Sequence, residues 1–199
     1  AVTDEKNRMR LDNIRAEGKR MNALAETLLS LATGDSRQLT AEKTSVDFSY
    51  MISSVVSMFE PAVFDLNRAI ESEIEDGIFV HGDPNQLRRL ADILIDNALR
   101  YGAEKSPIVV RLSTVNRKEA LLSVTSQGTP LSQEDCTRVF ERFYRLDASR
   151  GQTNGFGLGL SIAMETALRH DGKIWAESDG ETLNTFYVKL PVKLSSQTS

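Results

Sequence analysis

Gly155, Gly157 and Gly159 stand at alternate positions just before a predicted helix that runs to about Arg169. Glycines let backbone N–H groups come close to an anion, and a helix N-terminus adds positive partial charge, so this tract suits a phosphate. Its spacing is not the dinucleotide-binding fingerprint, and no Gly-Lys-Ser/Thr sequence occurs, which sets aside two common nucleotide folds. The second chemical candidate is Asn97, set among apolar residues in Leu94-Ile95-Asp96-Asn97-Ala98. Its carbonyl oxygen is a hard ligand of the kind Mg2+ takes. Ile93, Asn97 and Arg100 share one helical stripe at i, i+4 and i+7. The plainer readings are an asparagine satisfied within the fold and a loop whose glycines serve close packing. His81 and His170 lie far apart and read as structural, and the one cysteine is Cys136. Neither a zinc site nor a Ser-His-Asp or Cys-His arrangement follows from that inventory. Trp175, Phe140 and Phe143 read as core.

These candidates need elements to hold them. Residues 1 to about 33 repeat Ile14, Met21, Leu24, Leu28 and Leu31 at spacings of a helical seam, and Gly34-Asp35-Ser36 stops the pattern. One long amphipathic helix is expected there, burying its stripe against another helix. From Ser45 onward, short strands and helices alternate in the manner of a two-layer α/β sandwich. A strand over Ser45–Phe48 leads to a helix from Tyr50 to about Asp65. Ala69–Glu75 and Ile78–His81 follow as strands around Asp76-Gly77, a hairpin signal. Asp83, Pro84 and Gln86 together mark a helix start, with a core stripe of Leu87, Leu90, Ala91, Leu94 and Ala98. Ile108–Thr114 and Ala120–Thr125 pair around Asn116-Arg117-Lys118, and a loop-rich stretch runs from Ser126 to Asn154. Lys173–Glu177 and Thr185–Leu190 close the sheet before a polar tail, Ser195–Ser199.

The 199 residues are 40% hydrophobic and 26% charged, a composition that builds a core and excludes disordered and collagen-like classes. Lys and Arg number 24 against 28 Asp and Glu, a formal net charge of -4, so no global positive field favours nucleic acid. No apolar run approaches the roughly 18 residues of a spanning helix. The opening Ala1-Val2-Thr3 reads as a piece cut from something larger.

Three motifs in order carry a family resemblance. Leu87-Arg88-Arg89 through Asn97-Ala98-Leu99-Arg100-Tyr101 resembles the N box of bacterial sensor histidine kinases, and Val139–Arg145 resembles their F box. Gly155–Leu160 resembles their G2 box, and the first helix is similar to the second helix of their dimerisation hairpin. The resemblance implies a truncated hairpin over residues 1–38 and a GHKL-type ATP-binding domain over 39–195, a mixed sheet covered by three helices. It implies ATP and Mg2+, with Asn97 on the metal and Arg100 and Tyr101 flanking the phosphates. Gly155, Gly157, Leu158 and Gly159 would receive the phosphates, and Ser126, Gly128 and Thr185 would complete the nucleotide contacts. Phe140 and Phe143 would anchor a lid spanning about Gly128 to Asn154. By the same resemblance the γ-phosphate goes to a histidine outside this sequence, then to a response regulator. The whole protein would be a homodimer, and this part the cytoplasmic portion of a membrane-anchored sensor that itself touches neither membrane nor nucleic acid.

Ser126, Pro130 and Ile93 depart from the family. Ser126-Gln127-Gly128-Thr129-Pro130 stands where the G1 box reads Asp-x-Gly-x-Gly, and Ile93 stands where a polar residue usually faces the metal. Neither histidine carries the acidic residue and Arg-Thr-Pro of the acceptor motif. The first reading is therefore a working kinase portion with an adjusted adenine contact. The second is a degenerate module that keeps the fold for protein contacts. Ser126 in place of a carboxylate predicts weak ATP binding with poor discrimination against GTP.

Overall fold

The structure is a computed structural model that describes residues 42–146 and 156–193. The expected first helix, the boundary at 38–39, Gly155, residues 147–154 of the expected lid and the polar tail lie outside the described residues.

Strand β1 (Thr44–Asp47) ends where Asp47 caps helix α1 (Phe48–Asp65) by accepting from Tyr50 N. Strands β2 (Ile70–Ile74) and β3 (Phe79–Gly82) follow, then helix α2 (Pro84–Tyr101). Strands β4 (Ile108–Val115) and β5 (Glu119–Gln127) form a hairpin across a three-residue connection, 116–118, in which Asn116 and Arg117 take positive φ and Lys118 N donates to Val115 O at 3.1 Å. A short helix α3 (Gln133–Arg138) interrupts the expected loop-rich stretch, started by a capping box between Ser132 and Asp135. Helix α4 (Gly159–Arg169) and strands β6 (Lys173–Ser178) and β7 (Leu183–Pro191) complete the order.

Five strands form one mixed sheet in the order β2-β4-β5-β7-β6, with β2 parallel to β4 and the other pairs antiparallel. Helices α1, α2 and α4 pack on one face of it. The core lies between the layers: Ile52 and Val55 from α1, Leu87, Leu90 and Leu94 from α2, and Ala163 and Ala167 from α4 meet Val110, Leu122, Val124, Phe186 and Val188 of the sheet, all buried. Each large aliphatic side chain there contributes about 1.5–3 kcal/mol by leaving water. This is the expected two-layer sandwich, and its strand alternation decides which side chains can face the helices.

Three expectations are corrected. The strands on either side of Asp76-Gly77 do not pair with each other: β2 joins β4, with Ile70 opposite Ile108, and β3 joins β1, with Val80 opposite Val46. The turn forms, but burial against β4 on one side and β1 on the other outweighs the local hairpin signal. Phe143 is 61% exposed and Trp175 lies on the sheet face away from the helices, stacked at 5.0 Å on Tyr187, so neither is core. Phe140 is buried, edge-on to Phe186 at 6.2 Å, and ties the F-box segment to the sheet.

Candidate functional site

Helix α2 is fixed at both ends. Asp83 Oδ1 accepts from Asn85 N at 2.8 Å and Gln86 N at 3.3 Å, and Gln86 Nε2 returns a bond to Asp83 Oδ2. At the other end the buried Arg68 guanidinium donates to Leu99 O, which α2 leaves without a backbone donor, to Ser106 O, and to Ala98 O, which also accepts from Gly102 N. Arg68 has no carboxylate partner among the described residues, and burial pushes it below its ordinary value. The negative end of the helix dipole favours a cation there. So held, α2 presents Ile93, Asn97 and Arg100 as one stripe beyond its buried face.

Asn97 is half-buried, and its amide has no hydrogen-bond partner among the described residues. Arg100 is paired to Asp96 at 2.6 Å on the surface, an exposed pair that a phosphate could replace at little cost. Ile93 supplies no ligand atom and meets Gly159, where a Cβ would lie 3.4 Å from Ile93 Cγ2. Asp92 is not a substitute for a polar residue at position 93. Burial raises its carboxyl above the ordinary range, but it sits about 140° around the helix from Asn97.

Helix α4 opens onto this stripe. Leu158 gives its N-terminus no side-chain cap, and its first turn carries no acidic residue. The N–H groups of Gly159, Leu160 and Ser161 have no acceptor among the described residues. Gly157 holds φ at +70°, and a Cβ on it would lie 2.7 Å from Tyr144 O, so a side chain is excluded both by conformation and by space. The Gly157 carbonyl also accepts from Phe143 N at 2.9 Å, fastening the F-box segment to the start of α4. The Leu158 side chain is buried, so only its backbone can face a ligand.

The third wall follows β5. Ser126 lies on the helix-facing side of the sheet and is 8% exposed. Gly128 packs against the end of α2, where a Cβ would lie 2.8 Å from Tyr101 O. Ala103 N donates to Gln127 O and Gly128 N to Thr182 O, tying the segment on both sides. Asn97, Arg100, Tyr101, Ser126, Gly128, Gly157 and Gly159 are thus drawn to one side of the sheet, whereas Gly155 lies outside the described residues. Thr185 is corrected: its hydroxyl bonds the Thr125 hydroxyl at 2.9 Å on the face away from the helices. Alternation along β7 places its neighbour Asn184 on the helix side, opposite Ser126. Asn184 was not singled out in the sequence, and counting faces along β7 from buried Phe186 and Val188 could have placed it on this side.

His170 joins the far ends of these helices. Its Nε2 accepts from Asp83 N at 3.0 Å, which requires the other ring nitrogen to donate to Thr166 O at 2.7 Å. The ring is therefore neutral, and burial pushes it below its ordinary value. Lys43 Nζ caps the same helix end at Arg169 O. Among the described residues no cluster of His, Cys, Asp or Glu could hold a metal by itself, and no helix is long and apolar enough to cross a membrane.

Comparison with known proteins gives concordant findings. The model of the histidine kinase-, DNA gyrase B-, and HSP90-like ATPase family matches residues 82–194. The sensor protein DltS of Streptococcus agalactiae is 32% identical over 182 residues, covering 92% of this chain and 46% of that protein. The sensor histidine kinase CusS of Escherichia coli strain K12 is 36% identical over 174 residues, covering 86% of this chain and 35% of that protein. The chain thus spans less than half the length of these relatives. A solved nucleotide-free catalytic domain of the histidine kinase ThkA superposes with a TM-score of 0.65 at 27% identity, covering 75% of this chain and 95% of that one.

Proposed function

The chain belongs to the histidine kinase-, DNA gyrase B-, and HSP90-like ATPase family as the GHKL-type catalytic domain of a bacterial sensor histidine kinase, and we propose that its cleft binds Mg-ATP for transfer of the γ-phosphate to a histidine outside this sequence. The observation that carries this reading is the open N-terminus of α4, whose donors meet no acceptor among the described residues and lie beside the Asn97 stripe. Phosphates would accept from Gly159, Leu160 and Ser161 N–H, with Arg100 exchanging Asp96 for phosphate. Asn97 would hold Mg2+ through its carbonyl oxygen, the metal neutralising phosphate charge when bound. The donor set fits in part, because Ile93 offers no second oxygen. Ser126 would meet the base. In the whole protein, a homodimer anchored in the membrane with this portion in the cytoplasm, the phosphoryl group would pass on to a response regulator.

Ser126 and Ile93 favour a second reading, a degenerate module that acts through protein contacts. Calorimetric titration of Mg-ATP and Mg-GTP into the chain and into Ser126→Asp separates the two. A hydroxyl that replaces a carboxylate forfeits about 1 kcal/mol at the base, roughly fivefold in affinity. The expected result is weak binding of both nucleotides, with Ser126→Asp tightening ATP more than GTP. Absence of heat with either nucleotide on either protein would favour the degenerate module. Incubation with γ-labelled ATP should leave the chain itself without histidine-linked phosphate, since neither histidine has the acceptor motif.

A further inference from the structure

We propose that Asn184 is a positioning residue for purine recognition, its amide fixing the Gly128–Leu131 segment beside the cleft next to Ser126. The inference rests on the nucleotide reading above and deepens it. Asn184 is the register partner of Ser126, and each is 8% exposed on the helix side of the sheet. Its Nδ2 donates to Thr129 O at 2.9 Å, and its Oδ1 accepts from Leu131 N at 3.2 Å. The two bonds straddle Pro130, which has no N–H to offer. One side-chain amide thereby does the work of a peptide group, extending the pairing of β7 past the last residue of β5. Ser178 Oγ shares the Leu131 N–H at 3.3 Å, so the segment is tied to β6 as well.

Two consequences follow from the donor and acceptor inventory. A carboxylate at 184 could accept from Leu131 but not donate to Thr129, and a threonine hydroxyl is too short to span both, so an amide is the group that closes the clamp. The amide keeps a second N–H and a second lone pair, but the two bonds fix its plane on the backbone of the segment. The Ser126 hydroxyl has no partner among the described residues and can either donate or accept. It does not by itself distinguish an amino from a carbonyl substituent on the purine. Affinity for purine nucleotides and selectivity among them are then controlled by different residues: Asn184 sets how well the wall is held, and Ser126 sets what it reads.

The test uses the full 199-residue chain, Asn184→Thr and Asn184→Asp, with two readouts. Exchange of the Leu131 backbone amide, followed by NMR without nucleotide, should accelerate about tenfold in Asn184→Thr and less in Asn184→Asp, which keeps the acceptor. Val124 and Phe186 amides in the adjoining strands should not change. Titration should show Asn184→Thr weakening Mg-ATP and Mg-GTP together, each about fivefold, with their ratio unmoved. A purely structural role would lower stability and leave the affinity of the folded fraction unchanged. Unaltered Leu131 exchange in both variants would overturn the clamp. Faster exchange with unaltered affinities would overturn its role in recognition. If Asn184→Thr does not fold, Asn184→Asp carries the same two criteria. Failure of the unsubstituted chain to bind either nucleotide would overturn the nucleotide reading and the recognition role with it, and Leu131 exchange would still report on the clamp separately.

Discussion

Helices α2 and α4 lie side by side on the same sheet and treat their termini differently. Asp83 fills the donors at the start of α2, and Arg68 fills carbonyls at its finish. Helix α4 is closed at its finish by His170, Lys43 and Gly172, whose N–H reaches Ala167 O, and is left open at its start. An uncapped helix end forgoes about 1 kcal/mol that a serine or aspartate would supply. Where only the fold is served the ends are saturated, and where a ligand is to be received the donors are left for it.

Breaking a closed end should cost most. Arg68→Met leaves the carbonyls of Leu99 and Ser106 without their donor and Ala98 O with only the Gly102 N–H, and chemical denaturation should show a loss of about 3 kcal/mol. A smaller effect of opposite character distinguishes the two N-termini. Asp83→Ala should destabilise by about 1 kcal/mol and leave the Mg-ATP affinity of the folded chain unchanged. Gly159→Ala should hold or raise stability, since the new methyl meets only Ile93 at ordinary contact distance, while weakening Mg-ATP about tenfold by crowding the phosphate approach. Equal effects of the two substitutions on affinity would erase the distinction between a structural and a receiving terminus.

The smallest effect concerns the joint between the helices. Because burial holds the His170 imidazole below its ordinary value, the unfolded chain binds more protons than the folded one as pH falls. The contribution is full above about pH 6.5 and declines as pH drops through that value, with a slope under about 1.4 kcal/mol per unit. Denaturation midpoints measured from pH 8 to pH 5 should show this decline, and His170→Gln should flatten it. The position of His170 at a helix C-terminus suits an imidazolium by dipole arguments alone. The Asp83 N–H that it accepts decides for the neutral ring.

That reversal illustrates what could be read without a structure. The start of α2 was legible because Asp83, Pro84 and Gln86 act within one turn, and the β4–β5 hairpin because its turn and both strands are contiguous. The two-layer architecture was legible from alternating periodicities. Asp76-Gly77 misled because a turn signal is local, whereas the partners of β2 and β3 are chosen by burial at distant positions. Thr185 was one residue from the side chain that faces the cleft, and in a strand one residue reverses the face. Arg68, Asn184 and His170 were opaque for a common reason: each has a deciding partner 30 or more residues away, which for His170 is Asp83.

The strand order β2-β4-β5-β7-β6 also divides the folding reaction in time. β4 with β5 and β6 with β7 are each joined by a short turn, and such hairpins close in about 1–10 μs. The seam between β5 and β7 pairs Val124 with Phe186 and Ser126 with Asn184, across nearly half of the described chain. Searching for that distant register is slow, in the millisecond-to-second range typical of non-local sheets. By these timescales the pairing of Ser126 with Asn184 belongs to the slow, non-local class of contacts, apart from the two hairpins.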